Sequence, residues 1–256
     1  MRLAGKVAVV TGGGRGIGRA IVGRLVGEGA AVAVNYSGSE AGAREAVRDA
    51  EKAGGRALAV RADVARDGEV RGMMERVVGE LGGLDILVNN AGWTRPVQPH
   101  RDLEALTDEI WDRVMAVNVK GPFYCVRAAV PHMERRGGGA IVNIGSVAGL
   151  TGQGSSLAYA AAKAAVHAMT KSLARALAPA GIRVNAVAPG LIRTGFVDWP
   201  DEVYETARKV SPIGRIATVD EAADAVLFYV TNGSMTGSLS LVDGGLTALG
   251  PTETGR

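Results

Sequence analysis

The chain has 256 residues, 47% of them hydrophobic, and a formal net charge of +3, which suits one α/β domain with an extensive core. Its basic residues are interleaved with acidic ones, and neither a signal-like start nor a run of 18 apolar residues occurs, so we expect a cytoplasmic protein that binds neither nucleic acid nor membrane. Cys125 is the only cysteine, and His100, His132 and His167 show no metal-ligand spacing, so we expect no internal disulfide and no metal.

A glycine-rich loop follows the first predicted strand. The apolar run Val7–Val10 indicates a strand buried on both faces, and apolar residues recur at helical spacing from Ile21 to Val26. Between them lies Thr11-Gly-Gly-Gly-Arg-Gly-Ile-Gly18. Such glycines let backbone amides and a helix N-terminus approach a diphosphate. The spacing is not the common G-x-G-x-x-G, and a simple tight turn is the alternative.

The second predicted strand, 31–34, runs into Asn35-Tyr36-Ser37 instead of a carboxylate. Chains that bind NAD commonly have an acidic residue at this place to hold the ribose hydroxyls. Arg15 in the glycine loop could reach a 2′-phosphate. We therefore predict NADP as cofactor, with NAD as the less favoured choice, although Arg15 has an alternative interpretation as an ordinary solvated loop residue.

The pattern of strand and helix repeats along the first half of the chain. Helices are predicted at 40–53 and 68–81, and strands at 57–60 and 84–88. Polar residues follow the last two strands, as Asp63-Val64 and as Asn89-Asn-Ala-Gly92. Strands alternating with helices of this length predict a Rossmann-type, doubly wound parallel sheet of about seven strands with helices on both faces, in a single domain spanning 1–256. Right-handed crossovers place these loops at one edge.

The second half continues with an irregular segment and two long helices. Trp93 to Leu106 contains Pro96 and Pro99 and reads as a loop. A helix is predicted at 107–135, interrupted near Gly121-Pro122, and another at 156–178. Strands are predicted at 140–144 and 183–187.

Three residues in this half suggest proton transfer. Tyr159 and Lys163 stand four apart in a predicted helix and share a face, so a fixed ammonium would lower the pKa of the phenol. Ser146 follows a predicted buried strand at the edge where such sheets bind ligands. A carbonyl between the two hydroxyls could be protonated. The pair alone is more often a partly buried ring beside a snorkelling amine.

From about Gly5 to Gly245 the chain resembles the classical short-chain dehydrogenase/reductase family, particularly its 3-oxoacyl-(acyl-carrier-protein) reductases. The motifs that carry the resemblance occur in family order and spacing: Thr11-Gly12-x-x-x-Gly16-x-Gly18, Asp63-Val64, Asn89-Asn-Ala-Gly92, Asn118, Ser146, Tyr159-x-x-x-Lys163, Pro189-Gly190 and Val242-Asp-Gly-Gly245.

The resemblance implies a role for each of four catalytic residues. Tyr159 resembles the catalytic acid/base and Ser146 the residue that hydrogen-bonds the substrate oxygen. Lys163 resembles the residue that binds the nicotinamide ribose and lowers the pKa of Tyr159. Asn118 resembles a helix residue whose backbone distortion positions a water in a proton relay to Lys163. An ordinary helix asparagine is the alternative for Asn118.

The prediction of the cofactor site rests on the glycine loop, on the residues at the strand ends and on the family resemblance. The family implies that Asp63 contacts adenine, that 90–92 lie along the adenosine ribose, and that Ile192 and Thr194 meet the nicotinamide carboxamide. The predicted cofactor-binding residues are Gly12, Arg15, Gly16, Ile17, Gly18, Asn35, Tyr36, Ser37, Asp63, Val64, Asn90, Ala91, Gly92, Tyr159, Lys163, Pro189, Gly190, Ile192 and Thr194.

Resemblance also implies a substrate lid at about 191–210 and a homotetramer assembled through two long helices. Phe196 and Trp199 in the lid either cover an apolar substrate or bury the loop against the core. The segment after Gly92 is some four residues longer than in the carrier-protein reductases, so it lies near the substrate entrance or on a surface. Ala180 replaces an arginine common in those reductases, which weakens the case for carrier-protein docking. We expect a mobile tail at 250–256.

The function predicted from these observations is hydride transfer between NADP(H) and a carbonyl or secondary alcohol. A 3-oxoacyl thioester is the leading substrate, and a sugar, polyol or small cyclic ketone is the alternative. A non-catalytic nucleotide sensor is a further hypothesis, which the presence of both Tyr159 and Lys163 disfavours.

Overall fold

The computed structural model describes residues 1–98 and 100–247; Pro99 and the predicted mobile tail at 250–256 lie outside the described residues. The strands are β1 (Val7–Val10), β2 (Ala31–Tyr36), β3 (Ala57–Arg61), β4 (Ile86–Asn89), β5 (Gly139–Ile144), β6 (Ile182–Pro189) and β7 (Leu239–Val242). The α-helices are α1 (Gly16–Gly27), α2 (Glu40–Lys52), α3 (Asp67–Leu81), α4 (Asp108–Met115), α5 (Gly121–Arg135), α6 (Ala148–Thr151), α7 (Leu157–Leu177), α8 (Asp201–Val210) and α9 (Val219–Thr231).

The seven strands form one parallel sheet in the order β3-β2-β1-β4-β5-β6-β7. Val10 at the end of β1 is paired with Val34 of β2 and with Val88 of β4. The strand order reverses between β1 and β4, and ligands of such sheets bind in the crevice at that point. The predicted doubly wound sheet is confirmed, and the glycine loop lies at its switch point.

Each face of the sheet is covered by helices with apolar sides. Ile21 of α1 and Tyr229 of α9 are buried on one face, together with alanines of α2. Met74 of α3 and Met133 of α5 are buried on the other, with the C-terminal half of α7. Helices therefore cover both faces of the sheet, which explains why the central strands are unbroken apolar runs in the sequence.

The interruption in the helix predicted at 107–135 is a π-helical turn directly before Gly121-Pro122. The π-helical turn Ala116–Lys120 separates α4 from α5, and Gly121-Pro122 simply begins α5. A proline in the first helical turn has no hydrogen bond to lose, so it starts a helix without breaking one. The interruption therefore directly precedes Gly121-Pro122, around which it is predicted, and the distortion surrounds Asn118.

Helix α9 has no counterpart among the predicted elements, although its start carries a capping box. The Thr218 hydroxyl accepts from the Glu221 amide at 3.2 Å, and the Glu221 carboxylate accepts from the Thr218 amide at 2.8 Å. This reciprocal pair satisfies amides that the first helical turn leaves free. Among the described helices, none is long and apolar enough to cross a membrane.

Candidate active site

A cavity of about 1760 Å³ opens at the carboxyl edge of the sheet. The loops after β1, β2, β4, β5 and β6 line it, together with the segment that leads into α8. All of the residues predicted for the site lie on its wall except Gly18 and Asn118, which lie behind it. The structure thus brings together predicted residues as distant in the sequence as Gly12 and Thr194.

The glycine loop needs its glycines for two separate reasons. Gly12 and Gly16 have φ angles of 62° and 51°, which side chains rarely adopt. At Gly14 and Gly18 the reason is space, because a Cβ on Gly14 would lie 2.8 Å from the Ala43 amide nitrogen, and one on Gly18 would strike the Gly12 carbonyl. At the N-terminus of α1, Arg15 gives no side-chain cap, and the first turn has no acidic residue. The free amides therefore suit an anion.

Asn35 supports this loop from beneath. Its side chain is 2% exposed, and its Oδ1 accepts from the Gly12 amide at 3.3 Å. Its Nδ2 donates to the carbonyls of Val60 at 3.3 Å and Ala62 at 3.0 Å. The sequence predicts Asn35 as a cofactor contact, but its amide group is already engaged within the protein. Tyr36, next along β2, also lines the cavity.

A second brace joins the glycine loop to the end of β4. The Thr11 hydroxyl accepts from the amides of Asn90 at 2.9 Å and Ala91 at 3.0 Å. The Asn90 side chain donates back to the carbonyls of Thr11 and Gly12, at 2.9 and 3.0 Å. The motifs Thr11-Gly12 and Asn90-Ala91 therefore form one rigid unit at the switch point.

Charged residues that line the cavity or follow β2 and β3 differ in how they are engaged. Arg15 is exposed, and its Nη1 donates to the Gly195 carbonyl at 3.5 Å, across the cavity on the lid side. Glu40, the first carboxylate after β2, is paired with Arg44 at 2.6 Å. Asp63 is paired with Arg113 of α4, both of whose terminal nitrogens lie 3.2 Å from Asp63 Oδ2. The sequence motifs gave no indication of Arg113, which also lines the cavity.

Tyr159, Ser146 and Lys163 meet at the inner end of the cavity. The Ser146 hydroxyl accepts from the Ala148 amide at 3.1 Å, so its own proton remains available to a substrate. Lys163 is 5% exposed, and its Nζ donates to the Ile144 carbonyl at 2.7 Å. That Nζ lies 5.5 Å from the centre of the Tyr159 ring.

The pKa of Tyr159 is shifted in the direction opposite to the one expected. Burial raises the pKa of Tyr159 to about 12, and interaction with the Ser146 hydroxyl opposes that rise only in part. Burial also lowers the pKa of Lys163 to about 8. The prediction that Lys163 lowers the pKa of Tyr159 considers the charge but not the desolvation. Within the chain itself, desolvation is the larger effect and favours the neutral form of each group.

Asn118 lies at the centre of the π-helical turn and is 1% exposed. Its Nδ2 donates to the carbonyls of Trp93 at 2.6 Å and Val114 at 2.9 Å. Its Oδ1 is buried without a hydrogen-bond partner in the described part of the chain. π-Helical turns frequently mark functional sites, and this one ties α4 to the loop after β4.

The segment after Gly92 forms part of the cavity wall beside the tyrosine. The Val97 amide donates to the Ser155 carbonyl at 2.8 Å, and the hydroxyls of Thr94 and Ser155 lie 2.7 Å apart. Gln98 and His100 both reach the Gly154 carbonyl, with His100 Nε2 at 3.1 Å. The longer loop therefore contributes Trp93, Gln98 and His100 to the cavity wall, and its placement near a substrate entrance stays a prediction. Sequence analysis missed Gln98 and His100 because only the fold brings them to Gly154.

The segment 191–210, which is expected to be a substrate lid, contains α8 and places an aromatic ring close to Tyr159. The rings of Phe196 and Tyr159 have centroids 6.1 Å apart and planes inclined at 46°. Trp199 also lines the cavity. The base of the lid is fixed by Arg193, which pairs with Asp201 at 2.7 Å and lies 4.0 Å from the centre of the Tyr204 ring.

Comparison with known proteins gives the same assignment as the motifs. A family model described as enoyl-(acyl carrier protein) reductase matches residues 12–247. The chain is 41% identical over 249 residues to cis-4-hydroxycyclohexanecarboxylate dehydrogenase of Sinomonas cyclohexanicum, covering 96% of this chain and 98% of that protein. It is 41% identical over 244 residues to the 3-oxoacyl-(acyl-carrier-protein) reductase FabG of Staphylococcus aureus, covering 94% and 98%.

Solved structures agree with these relatives. The crystal structure of a short chain dehydrogenase from Burkholderia cenocepacia, in complex with NADP, is 38% identical and superposes with a TM-score of 0.88, covering 97% of this chain and 100% of that one. The resemblance inferred from the motifs is thereby confirmed. The chain belongs to the short-chain dehydrogenase/reductase family and is an oxidoreductase.

Proposed function

We propose that the protein is an NADP(H)-dependent reductase of carbonyl compounds, with Tyr159 as the proton donor. The observation that carries the proposal is the convergence of Tyr159, Ser146 and Lys163 on the wall of the same cavity as the glycine loop. Each of these three side chains has a separate task toward a carbonyl oxygen.

In the proposed reaction the substrate oxygen lies between the hydroxyls of Tyr159 and Ser146. When bound, the reduced nicotinamide supplies the hydride that the carbonyl carbon receives. Tyr159 transfers its phenolic proton to the oxygen and becomes a phenolate, so the carbonyl gains one hydride and one proton. Ser146 donates a hydrogen bond to the same oxygen. The Lys163 ammonium, held by the Ile144 carbonyl, offsets the charge left on Tyr159.

Three features of the chain suit a nicotinamide dinucleotide with a 2′-phosphate. The free amides at the start of α1 and the space left by the glycines suit the diphosphate. Arg15 in the glycine loop and Ser37 after β2 both line the cavity, and a 2′-phosphate bound at the end of β2 would carry its charge into that cavity. The nearest carboxylate after β2, that of Glu40, is paired with Arg44. The NADP complex of the Burkholderia relative supports the same choice.

The leading substrate class is a 3-oxoacyl thioester. The Staphylococcus relative is named for that reaction, and the substrate end of the cavity is lined mainly by apolar side chains that suit an acyl chain. They include Trp93, Phe196, Val197, Trp199, Val203 and Val210.

A cyclic ketone is the second candidate, and two observations favour it. The Sinomonas relative is named as dehydrogenase of a hydroxylated cyclohexane ring. Phe196 beside Tyr159 and Trp199 on the same cavity wall present aromatic surfaces, which would pack against a ring as well as against an extended chain.

The test is a matrix of NADPH and NADH against an acetoacetyl thioester, cyclohexanone and an aldose, followed by cofactor absorbance. We expect the highest kcat/KM for NADPH with the thioester.

Tyr159→Phe should abolish turnover while retaining NADPH binding, measured by nucleotide fluorescence. Tyr124→Phe on α5 is the matched control and should behave as wild type. NADPH binding without turnover of any substrate would instead support a nucleotide sensor, and faster rates with NADH would reject the cofactor choice.

We also propose a homotetramer assembled through α5 and α7. Family resemblance supports it, as do the apolar side chains of Phe123 and Leu157, which are 43% and 39% exposed on these helices. Light scattering after size exclusion is the test, and a monomer at micromolar concentration would reject the proposal.

A further inference from the structure

His167 lies on α7, one helical turn beyond Lys163 and two beyond Tyr159. It is 7% exposed, and its ring packs against the segment that follows β5 and carries Ser146. The proposed reaction assigns no task to this histidine.

The contacts of the ring are with the backbone around Ser146. The Ser146 amide donates to His167 Nε2 in a long hydrogen bond of 3.5 Å. A Cβ on Gly145 would lie 2.8 Å from His167 Cδ2, and one on Gly149 would lie 2.9 Å from Cε1. The two glycines thus make room for the imidazole, and the ring fills the space under the turn that presents the Ser146 hydroxyl.

The hydrogen bond assigns a protonation state to the ring. A nitrogen that accepts from an amide must carry a lone pair, so the imidazole is neutral with its proton on Nδ1. His167 Nδ1 is buried and has no hydrogen-bond partner within the part of the chain described. No second hydrogen bond from the described residues orients the ring. The position of the imidazole is therefore set by packing and by its one hydrogen bond with the Ser146 amide.

The groups that face His167 favour the neutral ring. Burial, and then the charges of Lys163 and Lys171 on the same helix, lower the pKa of His167 to about 4. The facing segment 144–151 carries no ionisable side chain, and neither does Val187 of β6, whose carbonyl lies beside Gly145. The acceptor is therefore present throughout the neutral pH range.

We propose that His167 is a positioning residue for Ser146, whose amide it holds so that the serine hydroxyl keeps its place opposite Tyr159. The role concerns the same site as the proposed function and rests on it for the effect on turnover. The hydrogen bond itself does not depend on turnover, so the two ideas can fail separately.

The first test needs no substrate. Imidazole ¹⁵N chemical shifts of the wild-type protein at pH 7 should show His167 as the neutral Nδ1–H tautomer. Hydrogen exchange of the Ser146 amide should be slow in wild type and in His167→Gln, which keeps an acceptor, and faster in His167→Leu. An Nε2–H tautomer, a protonated ring, or Ser146 exchange unchanged in His167→Leu would overturn the proposal.

The second test separates positioning from packing. Losing one neutral hydrogen bond corresponds to about a three- to tenfold fall in kcat for His167→Leu with NADPH and an acetoacetyl thioester, and the KM for NADPH should stay within about twofold. His167→Gln should restore most of the loss. Val166→Ala, a cavity-forming change at the adjacent buried residue, is the matched control and should lower stability without lowering kcat. An equal loss of kcat in Val166→Ala, or no restoration by His167→Gln, would contradict the positioning role.

Discussion

Replacing Arg15 by alanine should weaken NADPH binding without affecting NADH. Arg15 is exposed on the wall of the cavity, which the segment after β2 also lines and where the 2′-phosphate is proposed to bind. Within residues 1–98 and 100–247 it forms no ion pair, and its guanidinium reaches the Gly195 carbonyl at 3.5 Å. The charge is therefore available to a phosphate and is not consumed by a neighbouring carboxylate.

The size of the effect follows from the kind of contact. A hydrogen bond to a charged group contributes about 1.5–3 kcal/mol, and solvent screening at an exposed site favours the lower half of that range. A loss of about 1.5–2 kcal/mol corresponds to a rise of about ten- to thirtyfold in the dissociation constant for NADPH. NADH lacks the phosphate, so its dissociation constant should change by less than about twofold.

The measurement is nucleotide fluorescence titration of both cofactors against wild type, Arg15→Ala and Arg19→Ala. Arg19 is the matched control because it lies one helical turn further on α1 and is already paired with Glu45 at 3.0 Å and Asp49 at 2.5 Å. Arg19→Ala should leave both constants unchanged. If Arg15→Ala weakened NADPH and NADH equally, the arginine would act through the lid contact with Gly195 and our reasoning about the phosphate would be wrong.

Three further outcomes are expected. Asn35→Leu should lower the free energy of unfolding by about 2–4 kcal/mol, because it leaves buried partners including the Gly12 amide unsatisfied; an unchanged denaturation midpoint in urea would contradict this. Phe196→Ala should raise KM for a hydrophobic ketone by about three- to tenfold with little change in KM for acetone, since it removes the ring beside Tyr159; parallel changes for both would reject it. The kcat for reduction should fall as pH rises through about 8, where Lys163 loses its proton, and a flat profile to pH 10 would count against that assignment.

Sequence periodicity and glycine spacing were sufficient for the fold because they depend on neighbouring residues. The apolar run of β1 and the helical spacing of α1 are both readable within a few turns of chain. The interruption between α4 and α5 was not readable in the same way. Proline is the usual signal for a broken helix, but Pro122 starts α5. The π-helical turn around Asn118 contains no residue type that would mark it in the sequence.

Site residues that belong to a sequence motif could be predicted. Site residues that are placed by contacts with distant parts of the chain could not. Asn35 was correctly placed at the end of β2, but the direction of its side chain depends on the strand's pairing with β3. The pair of Asp63 with Arg113 joins residues 50 positions apart, and that of His100 with Gly154 joins residues 54 apart. Neither leaves a local pattern, so both required the folded chain.

The pKa of Tyr159 is raised, not lowered as expected, and this bears on the direction of the proposed reaction. With a pKa of about 12 the phenol is protonated at neutral pH, which is the form that donates to a carbonyl oxygen. Donation leaves a phenolate in surroundings that disfavour it, so a cation is needed nearby. Lys163, whose pKa burial lowers to about 8, still favours its protonated form at pH 7 and can supply that charge. In the proposed reaction the raised pKa of Tyr159 thus suits the acid that reduces a carbonyl, whereas oxidation of an alcohol must begin from the phenolate that the same desolvation opposes.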